Sequence, residues 1–494
     1  MRRYLLDIAG HRTQDRVWSC RFVFGHADPC DHQLEEIHGR SQIAARTRGR
    51  VAAPTRRRLP ARILVLGTAL ILIATACGGG ASPAPATPPP GTAPVTDAPP
   101  VDLGETTLGS NESDENPKNA VQAIVDHCQA QANFTVKVNV NDHNTFQNQI
   151  SSYLQGTPDD VVKWFAGNRV RFFAAQGLLS PIDDVWADIE QHLTPGLKAA
   201  SLGADGKAYF VPVYNYPWVV LYRKSLFTEK GYTIPKTIDE FKSLGDKMKT
   251  DGIVPLALGD LDGWPAMGTF DIINMRVNGY TFHIDLMEGR AKWSDPKVKA
   301  AFEIWRDLLP YFQEGAAGRT WQDAAKAALV DKTAGMYFLG TFAIEQAGDA
   351  ASDVGFFPFP LFGTQYDGEN AIDAPIDGFM LSANPKNPDA AKAFLRCVAT
   401  PEAQVAYVTS TGIGSVAVSP LADTSNYTDV QKMSAEVLKT AGNIAQFLDR
   451  DARADFAGPS GMQGFLISFL TDPNQDLDKF LGDIQAYYDS LPPQ

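Results

Sequence analysis

The sequence has no GxxxxGK[ST] phosphate loop, no HExxH pair and no GxSxG elbow. Nucleotide-driven, zinc-hydrolytic and serine-hydrolytic chemistry therefore lack their usual sequence signs. The eight histidines are scattered, and His127, His143, His192 and His283 show no metal-ligand spacing, so neither a metal nor a cofactor is expected. Paired acids occur as Asp159–Asp160 and Asp183–Asp184. The first pair follows Pro158 and reads as turn chemistry, and neither suggests two carboxyls facing one bond. Beyond residue 77 only Cys128 and Cys397 remain. In an oxidising compartment they are a disulfide candidate, and otherwise two separate buried thiols. Positive charge is also short there: 31 basic against 51 acidic residues leave a net −20 from residue 77 onward. Such a surface disfavours nucleic acid and suits a neutral or cationic ligand.

What is present begins with an uncharged apolar run over 63–76, ILVLGTALILIATA, behind Arg56, Arg57, Arg58 and Arg62. It is too short to span a bilayer, which needs about 20 residues. A basic flank, a short apolar core and the small residues Ala74, Thr75 and Ala76 are marks of a secretory signal. With Cys77 directly after them, the segment resembles a bacterial lipobox. Cys77 is then expected to carry the lipid and become the mature N-terminus, at the extracytoplasmic face of the cell membrane. No methionine lies between Met1 and Met248, and the apolar run starts far from position 1. Residues 1–50 are therefore expected to be a mis-started or disordered extension, with Val51 as the initiator and 51–76 as the signal peptide.

Residues 77–102 are rich in Gly, Ala, Pro and Thr and read as a tether. The 418 residues from Cys77 exceed what one core normally carries, so two lobes are expected. Strand signals (ETTLG, FTVKVNV, VVKWF) alternate with helical ones over 119–132 and 145–154. That pattern indicates an α/β body with mostly parallel sheets. The run KAYFVPVYNYPWVVLYRKSLF, broken by Pro212 and Pro217, suits a crossing between lobes. Helices are expected at 238–250, 266–278, 296–311 and 321–329. One lobe is assigned 103–212 with 378–425, and the other 213–377 with 426–494.

Five aromatics stand in polar, turn-like contexts: Trp164 in KWFAGN, Tyr214 and Trp218 in VYNYPW, Trp264 in DGWPA, and Phe338 in YFLGTF. Any one of them could fill a core. Together with neighbouring Asn, Asp and Gly they suit a ligand having apolar faces and many hydroxyls.

The blocks PDDVVKWFAGNRVRFFAAQGLLSPIDDVW, GKAYFVPVYNYPWVVLYRKSLFTEKGYTIPKTIDEF and DGWPAMGTFDIINMRVNGYTFHIDLMEGRAKWSDPKVK carry a resemblance. They resemble extracellular solute-binding protein family 1, the maltose-binding-like receptors of ABC sugar importers, over essentially all of 103–494. The resemblance implies a periplasmic-binding-protein-like fold of two α/β lobes with the ligand between them. It further implies a carbohydrate ligand, a membrane permease as partner, monomeric action and no catalysis. By position, it implies ligand contacts from the Gly109–Ser110 loop, His143, Trp164 and, more weakly, Asn168. Tyr214, Asn215 and Trp218 follow on the crossing segment, then Trp264, Asp271, Gly340, Thr341, Asp377 and Gly378. Near the first strand, TLGSNESDENP offers Asn111 and Glu112 where the family often has a charged anchor. The rivals are a surface glycan sensor or adhesin without a permease, an extracellular carbohydrate-active enzyme, and a receptor for a cationic solute such as a polyamine.

Overall fold

The computed structural model of the chain describes residues 101–410 and 414–493. All of these fall in one compact unit running from Pro94 to Gln494. The expected extension, signal peptide, Cys77 and nearly all of the tether lie outside the described residues. Among the described residues no helix is long and apolar enough to cross a membrane.

Two sheets organise the unit. The first is six-stranded, in the spatial order Val416–Ala417, Phe210–Asn215, Ile376–Leu381, Val161–Phe165, Glu105–Ser110, Thr135–Val140. The second is four-stranded, in the order Val254–Ala257, Ala334–Gly340, Trp218–Arg223, Val354–Phe357. Helices cover them, so each lobe is α/β, as the alternating periodicity implied. The sheets are mixed rather than mostly parallel. Glu105–Ser110 pairs in parallel with both its neighbours. Ile376–Leu381, by contrast, runs antiparallel to Val161–Phe165 and to Phe210–Asn215. The physical reason is the crossing: a strand returning from the other lobe enters the sheet from the opposite end.

The chain changes sheets at Tyr216–Pro217, between Phe210–Asn215 and Trp218–Arg223, and again at 374–375, ahead of Ile376–Leu381. Both crossings carry a proline, which cannot donate to a ladder and so ends pairing on either side. They sit a few residues from the boundaries drawn at 212/213 and 377/378, because Asn215 and Ile376 still pair within the first sheet. A third connection forms a two-stranded ribbon, Asn443–Ala445 parallel to Ala371–Asp373, and leads into the short helix Leu448–Asp451.

The helices start where side chains can hold their free N–H groups. Thr237 and Glu240 make a capping box for Ile238–Thr250, and Asp142 caps His143–Gln155 through Thr145 N. Thr320 caps Trp321–Leu329, while Pro265 occupies the first turn of Pro265–Asn278. Cys128 and Cys397 are bonded to each other, with Cα atoms 5.7 Å apart. The bridge joins helix Glu115–Gln131 to helix Pro388–Val398, 269 residues away along the chain.

Candidate functional site

The two lobes face each other across a cleft with a cavity of about 80 Å³. A water needs roughly 10–15 Å³ by this measure, so the cavity holds some five to eight waters, about the bulk of one pyranose. Its walls differ in chemistry. Trp218, Trp264, Trp321, Phe342 and Phe447 bring aromatic rings, and Glu112, Lys163, Asp377, Asp449 and Arg450 bring charge.

The aromatic wall follows from local sequence. Trp218 opens its strand directly after Pro217, Trp264 precedes Pro265, and Trp321 is the first residue after its Thr320 cap. Each ring thereby sits at the cleft end of its element. Trp218 stacks on Phe447 (4.9 Å between centroids) and meets Trp264 edge-on at 6.4 Å. Trp264 and Trp321 both contact Phe342. The indole N–H groups of Trp218, Trp264 and Trp321 are buried without a protein acceptor.

The charged wall is one connected chain. Lys163 Nζ pairs with Glu112 and lies 3.2 Å from Asp377 Oδ2. Asp377 Oδ1 accepts from Arg450 Nη1 at 2.8 Å, and Arg450 Nε is 3.6 Å from Asp449. Arg169 Nε approaches Asp449 at 3.9 Å. Tyr214 donates to Glu112 at 3.0 Å, and Tyr216 receives a bond from Arg450 Nη2 at 3.0 Å. Lys163 is 1% and Asp377 3% exposed, so each charge depends on its partners along the wall. Burial pushes the Asp377 carboxyl up, but Arg450 and Lys163 outweigh it and hold the group below the ordinary carboxylate range. Burial likewise opposes the Lys163 ammonium, yet Glu112 and Asp377 keep it above its usual value. Burial lowers His143 and leaves it neutral, and burial beside Glu112 pushes Glu345 well up towards the protonated form. Three acids and three bases pair off along this wall.

Of the residues singled out from sequence, Glu112, His143, Tyr214, Trp218, Trp264 and Asp377 line the cleft. The others do not. Trp164 is wholly buried in the first lobe, edge-on to Phe146 and Phe173, because successive strand residues face opposite ways. Its neighbours Lys163 and Phe165 are the ones that reach the cleft. Ser110 accepts from Glu112 N and so sets that carboxylate's position. Asp271 is buried beneath the floor, where its Oδ2 accepts from Leu448 N at 2.8 Å. Asn215 ends its strand beside the cleft, paired with Ile376 and Val416. Gly340 makes room for Phe342 and Tyr216, since a Cβ there would meet both rings within 2.8 Å. Thr341 donates its N–H to Pro217 O, and Gly378 packs against Val211 O. Asn168 bridges the lobes, its Nδ2 donating to Asp451 O at 2.7 Å. The paired acids are structural: Asp160 receives Thr106 and Thr107, and Asp184 pairs with Lys392 and Arg396.

Sequence reading missed Lys163, Phe165, Tyr216, Trp321, Phe342, Glu345, Phe447, Asp449 and Arg450. Strand alternation around Trp164 could have found the first two. Nothing local marks 445–451, which reaches the cleft only through the third connection.

The lobes also touch directly. Asn144 donates to Asp262 at 2.9 Å, Gln346 to Asp114 at 2.9 Å, and Asn116 to Glu345 O at 3.1 Å.

Residues 112–405 match the model of a family described as bacterial extracellular solute-binding protein. An uncharacterized ABC transporter extracellular-binding protein of Pyrococcus horikoshii is 30% identical over 262 residues, 51% of this chain and 57% of that protein. The alpha-glucosides-binding periplasmic protein AglE of Rhizobium meliloti is 25% identical over 52% of this chain and 60% of its own length. The chain thus spans about half to three fifths of these curated relatives. Among solved structures, the bacterial solute receptor AcbH, reported to have an exclusive preference for β-D-galactopyranose, is similar with a TM-score of 0.76 and 44% identity. That match covers 78% of this chain and 99% of AcbH.

Proposed function

The chain belongs to the bacterial extracellular solute-binding protein family, and we propose that it captures a single neutral sugar ring between its lobes and delivers it to an ABC permease. The observation that carries this reading is the division of the cleft. Trp218, Trp264 and Phe342 offer flat apolar faces to the C–H side of a pyranose, while Asp377, Glu112 and Arg450 offer fixed acceptors and donors to its hydroxyls. The charges of that chain are already paired with one another, which favours a neutral polyol over a polyamine or an anion. The cavity's size favours one ring over an oligosaccharide, in keeping with the galactopyranose preference of AcbH.

In this reading His143, Tyr214, Trp218, Trp264 and Asp377 touch the ligand, while Ser110, Asn215, Gly340, Thr341 and Gly378 hold contacting residues in place. Ligand favours the state in which Asn144–Asp262 and Gln346–Asp114 are made, by the difference in its affinity for open and closed forms. The protein acts as a receptor rather than an enzyme, outside the cytoplasm and anchored through lipid on Cys77. Cys77→Ser is expected to release it from the membrane fraction, and retention there would refute the anchor.

Titration calorimetry of the 94–494 unit against galactose, glucose, lactose, maltose and spermidine tests the ligand reading. One monosaccharide should bind at 1:1 and be recovered unchanged, with disaccharides at least tenfold weaker. Binding of disaccharides alone, or of spermidine, would refute it.

A further inference from the structure

A second cluster lies beneath the cleft floor, and sugar binding makes no use of it. Asp271 on helix Pro265–Asn278, His283 on helix Tyr280–Met287 and Asp373 on strand Ala371–Asp373 bring their ligating atoms within 4.8 Å of one another. His283 Nε2 is 3.9 Å from Asp271 Oδ1. All three side chains are buried. Asp271 Oδ1, His283 Nε2 and both carboxylate oxygens of Asp373 have no protein hydrogen-bond partner. Four orphaned polar atoms converging on one buried point are too unfavourable to persist without something that satisfies them.

We propose that Asp271, His283 and Asp373 form a buried structural site for a zinc-class divalent cation. Charge supports a cation. Asp449 and Asp451 add negative potential at Asp271, and Asp451 adds it at Asp373, whereas Arg276 is the cation acting on Asp373. Arg276 is itself committed, donating to Ala371 O at 2.9 Å. The donor set supports the class of ion. Two carboxylates and one imidazole suit zinc, cobalt or manganese, whereas calcium takes oxygen donors alone. Bonds of about 2.0–2.2 Å put donors on one ion roughly 3.4 Å apart, so separations of 3.9 Å to at most 4.8 Å need shrink by about 0.5–1.4 Å.

The imidazole constrains the site further. Lys297 O can only accept, so Asn278 Nδ2 donates to it at 2.9 Å, and Asn278 Nδ2 also donates to Asn274 Oδ1 at 2.8 Å. Asn274 therefore turns its Nδ2 towards His283 Nδ1, at 3.1 Å. This leaves the ring hydrogen on Nε2. Metal uptake would move the ring hydrogen from Nε2 to Nδ1 with no net loss from the imidazole, so that Nε2 offers its lone pair and the Asn274 amide turns over to accept from Nδ1; any proton held by the two carboxyls would leave to solvent. That turn gives up the bond from Asn278, which is small against the free energy of a three-ligand site. An aspartate at 274 would accept from both Asn278 and His283 without turning, so Asn274→Asp is expected to bind the ion more tightly.

The ion would tie two helices to the strand that leads into the crossing at 374–375. Asp271 also holds Leu448 N, at the start of the helix that carries Asp449 and Arg450 into the cleft. The proposal stands whichever solute the cleft binds.

The full chain, purified without chelating steps, should hold about one zinc-class ion per molecule by elemental analysis. After stripping with chelator it should melt several degrees lower. One equivalent of Zn²⁺ or Co²⁺ should restore the melting temperature where Mg²⁺ does not, and Co²⁺ should give the visible bands of a low-coordinate site. Asp373→Asn or His283→Gln should abolish uptake, and Asn274→Asp should tighten it about 10–100-fold. The wild-type cobalt spectrum decides the matter even if those variants fold poorly. Equal melting of stripped and unstripped protein, with no stoichiometric uptake of Zn²⁺ or Co²⁺, would overturn the proposal and leave the carboxyl pair to hold protons instead.

Discussion

Asp377 is the hub of the charged wall, and Asp377→Asn perturbs it with little change of shape. Its carboxylate lies between Lys163 at 3.2 Å and Arg450 at 2.8 Å, all three nearly inaccessible to water. Removing one partner of a buried pair leaves the other charge uncompensated, which costs about 3–5 kcal/mol. Glu112 still serves Lys163 and Asp449 still serves Arg450, so the lower end applies. Unfolding entropy of ~2.1 cal/mol/K per residue over roughly 400 residues turns about 3 kcal/mol into a fall of ~3–4 °C in Tm. Calorimetry should also show at least a tenfold loss of ligand affinity. The pH dependence has a definite sign. Asp377 is held below its ordinary value, so its contribution is present above the unfolded pKa of 3.8 and is lost as pH falls through the folded value. Wild type and variant should therefore differ throughout pH 5–8 and converge only in acid. Adding Arg450→Met removes the stranded cation, leaves the Lys163–Glu112 and Arg169–Asp449 pairs intact, and should recover most of the Tm but none of the affinity. A change below 1 °C in the single variant, or recovery of binding in the double one, would refute the reasoning.

Trp264→Ala should weaken ligand binding by about 1–3 kcal/mol through lost ring contact, read by calorimetry, and unchanged affinity would remove that ring from the ligand's surface. Replacing both Cys128 and Cys397 with alanine should lower stability by about 2–5 kcal/mol in chemical denaturation, since the bridge closes a 269-residue separation. A denaturation curve that does not move would show that the bridge constrains little. Burial pushes the Asp260 carboxyl up to about 8 while its Oδ1 accepts from Ala266 N at 2.8 Å. The stability it confers is full below pH 3.8 and declines as pH rises through about 8. Asp260→Asn keeps that acceptor without the charge, so its melting temperature should rise relative to wild type as pH climbs from about 4 to 8, and the gap should level off above that. Parallel melting curves across that range would count against a neutral Asp260.

Much of the fold was legible because it rests on local patterns. Helices at Ile238–Thr250 and Trp321–Leu329, and the buried strand Val161–Phe165, follow from periodicity and capping, which depend on near neighbours. Pro217, which ends strand pairing at the first crossing, is equally local, whereas Pro212 sits inside the strand Phe210–Asn215 and breaks nothing. The site was only half legible. Trp218 and Trp264 adjoin Pro217 and Pro265 in turn-like contexts, and a local rule finds them. Trp164 misled because a one-residue step along a strand exchanges faces, and composition does not say which face meets the cleft.

By itself the sequence determined the α/β class and the two lobes, and it marked Trp218 and Trp264 among the aromatics that line the cleft. Tertiary structure alone decided that Glu112, Lys163, Asp377, Arg450, Asp449 and Arg169 form one neutral chain of charges, since its members lie up to hundreds of residues apart. It also decided that Asp271, expected at the ligand, stands behind the floor with His283 and Asp373. Both are meetings between side chains from separate elements. Their free energy depends on distance and burial, which arise only when the lobes fold and the third connection brings 445–451 beneath the cleft.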